Sequence, residues 1–261
     1  MDGMLSQEEI NALLGGMGDS AENTSDVVAN EPTPAAADSN ERLSPEESDA
    51  LGEIANISMG TAATTLSVLV NNRVEITTPK LSYVTLNDLK EQNPAPCVFI
   101  YISYRTGLEG KNILVLKEHD VKVITDLMMG GDGTNTDAEL TDLHLSAISE
   151  AMNQMMGSAA TSMSSMINEK VDISPPSSTR VDLTDTMMED GLHDMVGQTF
   201  VQVSFRMTIG DLVDSEIMQL YPFDFAKLIY TRFRSTMEGG MEETAASEPE
   251  PAPQPEPVAA R

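Results

Sequence analysis

The sequence predicts an α/β domain built twice over, with long helices on a largely antiparallel sheet and a pseudo-twofold axis relating the halves. Two observations predict it. Asp49, Glu53, Asn56 and Pro79 recur as Ser146, Glu150, Asn153 and Pro176, each 97 residues later, and residues 49–79 agree with 146–176 at 13 of 31 positions. Ordinary residue usage would give about two such identities. The second observation is order: helix, extended segments, hairpin and helix follow one another through residues 44–131 and again through 138–235.

Ser44-Pro45-Glu46-Glu47 is a helix start, with Ser44 as N-cap, Pro45 in the first turn and Glu47 closing a capping box. That helix is expected to run to about Asn71. Extended segments follow at 74–77 and 80–86. A hairpin of 97–104 and 112–116 turns through Thr106-Gly107 and Glu109-Gly110. A helix from Glu118 is expected to stop at Gly130-Gly131, where glycine suits left-handed geometry. In the second half a long helix is expected over 138–168, extended segments at 171–173 and 179–183, a hairpin of 198–208 and 212–221, and a closing helix over 223–233. Residues 17–43, with hardly a large apolar side chain, and the acidic Pro/Ala/Glu tract 236–261 are expected to be disordered.

Composition narrows the function. The net charge is −27, from 42 acidic and 15 basic residues, so phosphate backbones and anionic membrane surfaces repel the chain, and nucleic acid is excluded as the default partner. No apolar run approaches the ~20 residues of a membrane span, and Met1-Asp2-Gly3-Met4-Leu5-Ser6 lacks the basic and apolar parts of a secretory signal. A cytoplasmic location without membrane insertion is the simplest reading. The lone Cys97 reads as core. His119, His144 and His193 lack metal-ligand spacing, and no metal site or cofactor of the protein's own is implied. Met152, Met155, Met156, Met163 and Met166 read as core filler, with a Met-rich partner surface as the alternative. Gly130-Gly131-Asp132-Gly133 follows a helix and does not open one, so it reads as a cap and turn.

The repeated helix carries the site hypothesis. At about 100° per residue, Leu51, Ile54, Ala55, Ala62 and Leu69 share one face, while Asp49, Glu53, Asn56 and Gly60 lie opposite. The second helix divides in the same way: Ile148, Ala151, Met152, Met155 and Ala159 point inward, and Ser146, Glu150, Asn153 and Gly157 point outward. A Glu and an Asn three apart are neighbours on the helix surface. Gly one turn beyond leaves the helix bare where another molecule could approach. One exposed Glu/Asn pair is commonplace; keeping it in both halves, next to a helix glycine that costs ~1 kcal/mol against Ala, is not.

The pattern Asp/Ser, three residues, Glu, two residues, Asn, twenty-two residues, Pro resembles the signature of the CheC, CheX and FliY family of phosphatases, and it occurs in full twice. The resemblance implies a duplicated CheC-like domain at 44–235 that hydrolyses the aspartyl phosphate of the chemotaxis response regulator CheY. It also implies that Asn56 and Asn153 orient the attacking water, that Glu53 and Glu150 dock on a lysine of CheY, and that the metal ion of the reaction is held by CheY. Asp49, Gly60, Pro79, Ser146, Gly157 and Pro176 support the motif.

Residues 1–16 add a second resemblance. Leu5-Ser6-Gln7-Glu8-Glu9-Ile10-Asn11-Ala12-Leu13-Leu14 is similar to the CheY-binding peptide that opens flagellar switch proteins. Ser6 and Glu9 form a capping box, and Leu5, Ile10, Leu13 and Leu14 make an apolar face too short to hold a helix alone, suited to folding in a partner's groove. The alternative is an unstructured start with chance apolar residues. Together the two resemblances imply a place at the flagellar motor switch, on the cytoplasmic face of the membrane at the basal body, with the switch proteins FliM, FliN and FliG as further partners. A FliN-like domain, usual beyond a Pro/Glu linker like 247–258, is expected to be supplied by another chain or to be missing from this sequence. The rival reading is a non-catalytic FliM-like adaptor that binds phospho-CheY.

Overall fold

The computed structural model describes residues 42–183 and 195–245, with side chains as far as residue 238. Its elements in chain order are α1 (Pro45–Val70), β1 (Val74–Ile76), β2 (Lys80–Val84), α2 (Leu86–Gln92), β3 (Cys97–Thr106), β4 (Gly110–Lys117), α3 (Glu118–Met128), α4 (Asp142–Ile167), β5 (Asp172–Ile173), β6 (Ser177–Val181), β7 (Phe200–Ile209), β8 (Val213–Pro222) and α5 (Phe223–Ala245). The expected peptide Leu5, Ser6, Glu9, Ile10, Leu13 and Leu14, the linker up to residue 41 and the tract from 246 lie outside the described residues.

All eight strands form one antiparallel sheet in the order β1-β7-β8-β4-β3-β5, with β2 continuing along β7 and β6 along β3. The halves are therefore interleaved. Strands β1 and β2 of the first half pair with β7 of the second, β5 and β6 of the second pair with β3 of the first, and β4 and β8 meet in the middle. The register repeats: Val84 faces Phe200 as Val181 faces Cys97, and Lys80 faces Ser204 as Ser177 faces Tyr101.

The repeated prolines sit at a matching irregularity on both sheet edges. Between Ile76↔Met207 and Lys80↔Ser204, residues 77–79 lie opposite only 205 and 206; between Ile173↔Tyr104 and Ser177↔Tyr101, residues 174–176 lie opposite only 102 and 103. Each is a bulge of one extra residue. The first of the three still pairs, Thr77 N–H donating to the Arg206 carbonyl at 3.0 Å and Ser174 N–H to that of Ser103 at 2.8 Å. The last is Pro79 or Pro176, whose missing N–H does no harm there.

The main core fills the space between the sheet and helices α1, α3, α4 and α5. A smaller core on the opposite face gathers Phe99, Val115, Phe200 and Leu220 under Leu86 and Leu89 of α2. Sequence reasoning missed α2, extending a strand to residue 86. Instead Thr85 caps a new helix, its hydroxyl accepting from Asp88 N–H at 3.4 Å while Asp88 accepts from Thr85 N–H at 2.7 Å. The second long helix begins at Asp142, not at 138, because Thr141 is its N-cap and donates its N–H to His144 Nδ1 at 3.1 Å.

The closing helix was expected to end at 233 and the acidic tract from 236 to be disordered, but α5 continues to Ala245. Thr236 Oγ1 donates to the Ile167 carbonyl at 2.7 Å, and Arg234 pairs with Glu238 one turn on, so the extension docks on the end of α4. Met152, Met155, Met156 and Met163 are buried and Met166 packs against the core. Gly130 has φ +86° and ends α3 as a cap.

Glu118 at the start of α3 joins the halves by accepting from Arg180 Nε of β6 at 2.7 Å, with Lys122 Nζ at 2.9 Å. Burial works against its charge, but the hydrogen bonds from Lys122 and Arg180 outweigh it and hold the carboxyl below its ordinary value. A depressed folded-state pKa contributes stability that is present above the unfolded-state value and is lost as pH falls through the folded-state one. Glu118→Gln is therefore expected to cost on the order of 1 kcal/mol at neutral pH. Denaturation midpoints of variant and parent should converge as the pH is taken below the carboxylate range.

Candidate functional site on the paired helices

Helices α1 and α4 lie against each other, with Thr65 Oγ1 donating to Ser158 Oγ at 2.9 Å, and Ala62, Ala63, Ala159 and Ala160 in the same turns are buried in the core. Their inner faces go into the core: Leu51, Ile54, Met59 and Leu66 from α1, and Ile148, Met152, Met155 and Met163 from α4. What remains outside is the predicted polar set. Asp49, Glu53, Asn56 and Gly60 are exposed; Ser146 and Glu150 are exposed, and Asn153 and Gly157 are half-buried. Pro79 is half-buried and Pro176 buried at the sheet edges, where they serve the bulges.

Most positions identical in the two copies have a task inside the chain. Met59 and Met156 both reach one buried amide, that of Gln219, whose Nε2 is 3.1 Å from the first sulfur and 4.0 Å from the second. Thr64 and Thr161 donate back to the carbonyls of Gly60 and Gly157. Ser67 accepts from Val74 N–H at 2.9 Å and Ser164 from Val171 N–H at 2.8 Å, tying each helix to the strand segment that follows. Asn71 and Asn168 end the helices at φ 48° and 51°, a left-handed conformation that asparagine tolerates.

Glu53/Glu150, Asn56/Asn153 and Gly60/Gly157 are left over. Among the described residues, Glu53, Asn56 and Asn153 make no side-chain hydrogen bond or ion pair, and a Cβ built on Gly60 or Gly157 meets nothing within 4 Å. A carboxylate, an amide with both donor and acceptor, and a bare patch of helix backbone are thus presented outward twice. Two flanking residues at matching positions differ between the copies. Ile57 is 42% exposed, and Gln154 donates through Nε2 to Glu150 Oε1 at 2.7 Å. The helical period held the signal for Ile57, which falls roughly 120° from the Leu51 direction.

Other chemistry finds no support. Burial, opposed by Lys117, pushes the Cys97 thiol up to about 11, far from the thiolate a nucleophile needs. Among the described residues no three His, Cys, Asp or Glu side chains are grouped to hold a metal ion, and no helix is long and apolar enough to cross a membrane.

Comparison with known proteins matches the CheC-like family at residues 46–83 and 143–180, one match on each copy of the repeat. The crystal structure of Thermotoga maritima FliY superposes with a TM-score of 0.68 at 40% identity, covering 74% of this chain and 98% of that one. The chain belongs to the FliY family of CheC-like proteins. The flagellar motor switch phosphatase FliY of Bacillus subtilis is 44% identical over 244 residues, 94% of this chain, and the chain spans 61% of that relative's length. FliM in a FliG–FliM complex from H. pylori shares the fold, with a TM-score of 0.57 at 17% identity over 72% of this chain and 100% of that one.

Because no atom of the described residues of this FliY-family chain occupies the space beside Gly60 and Gly157, alanine at either position is expected to stabilise the isolated protein by about 1 kcal/mol, the usual helix-interior difference. The check is a raised melting temperature for Gly60→Ala and for Gly157→Ala; a loss would show that the glycines serve the fold.

Proposed function

We propose that this protein is a phosphatase that hydrolyses the aspartyl phosphate of CheY at the flagellar motor switch, helping to set the direction of flagellar rotation. The observation that carries the reading is the outward-facing Glu/Asn/Gly set repeated on α1 and α4, in which, among the described residues, only Glu150 has a side-chain partner, its helix neighbour Gln154. The name of the Bacillus subtilis relative supports it.

In this reading Glu53 or Glu150 meets a lysine of CheY, and the bare helix at Gly60 or Gly157 lets the partner's backbone close in. The carboxamide of Asn56 or Asn153 then holds a water in line with the phosphorus. The water oxygen bonds to phosphorus as the bond to the aspartyl oxygen breaks, leaving inorganic phosphate and the CheY carboxylate. The metal ion belongs to CheY and supplies charge neutralisation there. Positioning is a sufficient contribution: each 1.36 kcal/mol is tenfold in rate, and a well-held nucleophile can supply several such factors.

Residues 1–16 act as a CheY-binding peptide on a tether that raises the local concentration of phospho-CheY near the helices. The protein works in the cytoplasm at the switch, with FliM, FliN and FliG as neighbours. The FliM-like fold also suits a non-catalytic adaptor, but that reading gives the repeated amides nothing to do.

Decay of radiolabelled phospho-CheY tests the proposal. The parent should accelerate phosphate loss, and Asn56→Ala combined with Asn153→Ala should abolish the acceleration with a stability change within about 0.5 kcal/mol, as for exposed positions generally. A folded double variant that is still fully active sinks the site; a parent that binds phospho-CheY without speeding its decay favours the adaptor. Deleting residues 1–16 should raise KM and leave kcat nearly unchanged, since the peptide binds away from the reacting group. A fall in kcat at constant KM would contradict the tether.

A further inference from the structure

The two sites share their leftover residues but not their surroundings. One turn beyond Glu53 stands the exposed Ile57; one turn beyond Glu150 stands Gln154, whose amide donates to Glu150 Oε1 at 2.7 Å. One turn before, Asp49 in the first copy is matched by Ser146 in the second. Asn56 is exposed where Asn153 is half-buried.

Each difference acts in the same direction. A cationic group approaching α1 meets two carboxylates a turn apart, neither occupied by a described residue, and an apolar side chain that loses water on contact. Approaching α4 it meets one carboxylate, with one oxygen already engaged by a neutral amide on the same helix face. That amide has to be displaced, and its hydrogen bond lost, before both oxygens are available to the partner.

We propose that the two sites divide the work unequally: the Asn56 site carries most of the turnover, and Gln154 is a positioning residue that holds the Asn153 site back by occupying Glu150. This rests on the phosphatase reading above and concerns which copy performs it. Since Gln154 acts through Glu150, a docking group, its effect belongs in KM, while kcat at the second site is set by Asn153.

The test uses the full chain. Asn153→Ala should keep roughly three quarters or more of the parent kcat/KM, and Asn56→Ala roughly a quarter or less. In the Asn56→Ala background, Gln154→Ile and Gln154→Leu should each raise kcat/KM by about 3- to 10-fold through KM with kcat unchanged, a split that a general change in helix stability would not give. In the Asn153→Ala background, Ile57→Gln should raise KM. Equal losses from the two single Asn variants, a dominant Asn153 site, or a KM indifferent to Gln154 would overturn the proposal. A second arm does not depend on hydrolysis: calorimetric titration with CheY held as its beryllofluoride acyl-phosphate mimic should show Glu53→Ala weakening binding at least about 3-fold more than Glu150→Ala. If the parent does not speed phosphate loss, the phosphatase reading fails and this comparison alone decides whether the sites are unequal; equal effects of the two Glu variants reject it.

Discussion

Everything that positions the site depends on two long helices packed against each other over one sheet. Thr65 of α1 donates to Ser158 of α4 where the two helices meet, and Ala62, Ala63, Ala159 and Ala160 in the same turns are buried in the core. Below, the sheet fixes the roll of each helix. Gln219, buried in β8, reaches Met59 and Met156, one turn after Asn56 and Asn153, and is itself held by the Tyr221 hydroxyl. A single amide therefore lies beneath both site helices at corresponding places. Rolling either helix enough to turn its asparagine inward would pull its methionine off that amide and break the Thr65–Ser158 hydrogen bond, so the outward direction of the site residues follows from the packing beneath them.

Much of this was legible in the sequence because it is encoded locally. Ser44, Pro45 and Glu47 announce the start of α1, and Ser44 accepts from Glu47 N–H as that signature requires. The wheel positions of Leu51, Ile54 and Ala55 placed Glu53 and Asn56 outside, where they are. What failed was either short or non-local. The seven-residue α2 was missed: the extended segment 80–86 was carried one residue into it, residues 87–92 were given no element, and the Thr85/Asp88 box that starts the helix was overlooked. Composition drew the boundary at 236 too early, since the docking of Thr236 on the end of α4 cannot be seen from Glu and Gly content. The pairing of each half's first strands with the other half has no local signal at all. The register of Val84 with Phe200 depends on residues more than a hundred positions apart.

The duplication also separates structural from functional retention without any second sequence. At Ser67 and Ser164, or Asn71 and Asn168, repeated identity is explained by a hydrogen bond or a left-handed backbone, and selection for folding suffices. At Gly60 and Gly157 the fold would do better with another residue. A residue kept twice against the preference of its own helix needs a reason outside the chain, which is why the glycines say as much about the site as the carboxylates and amides beside them.

The interleaving of the strands bears on how the molecule comes to exist. A chain made from its N-terminus cannot complete its first repeat when that repeat leaves the ribosome, because β1 and β2 have no partner until Phe200–Ile209 has been synthesised. Until then α1 has neither its sheet floor complete nor α4 beside it, and its apolar stripe waits in water. Such long-range pairing is slow to close. The ancestral half, standing alone, would have faced the same unfilled edge, and a second copy of itself is the molecule that fits there. The exchange is the arrangement that a dimer of half-sized subunits would have once a linker joined the two, each repeat completing the sheet edge of the other.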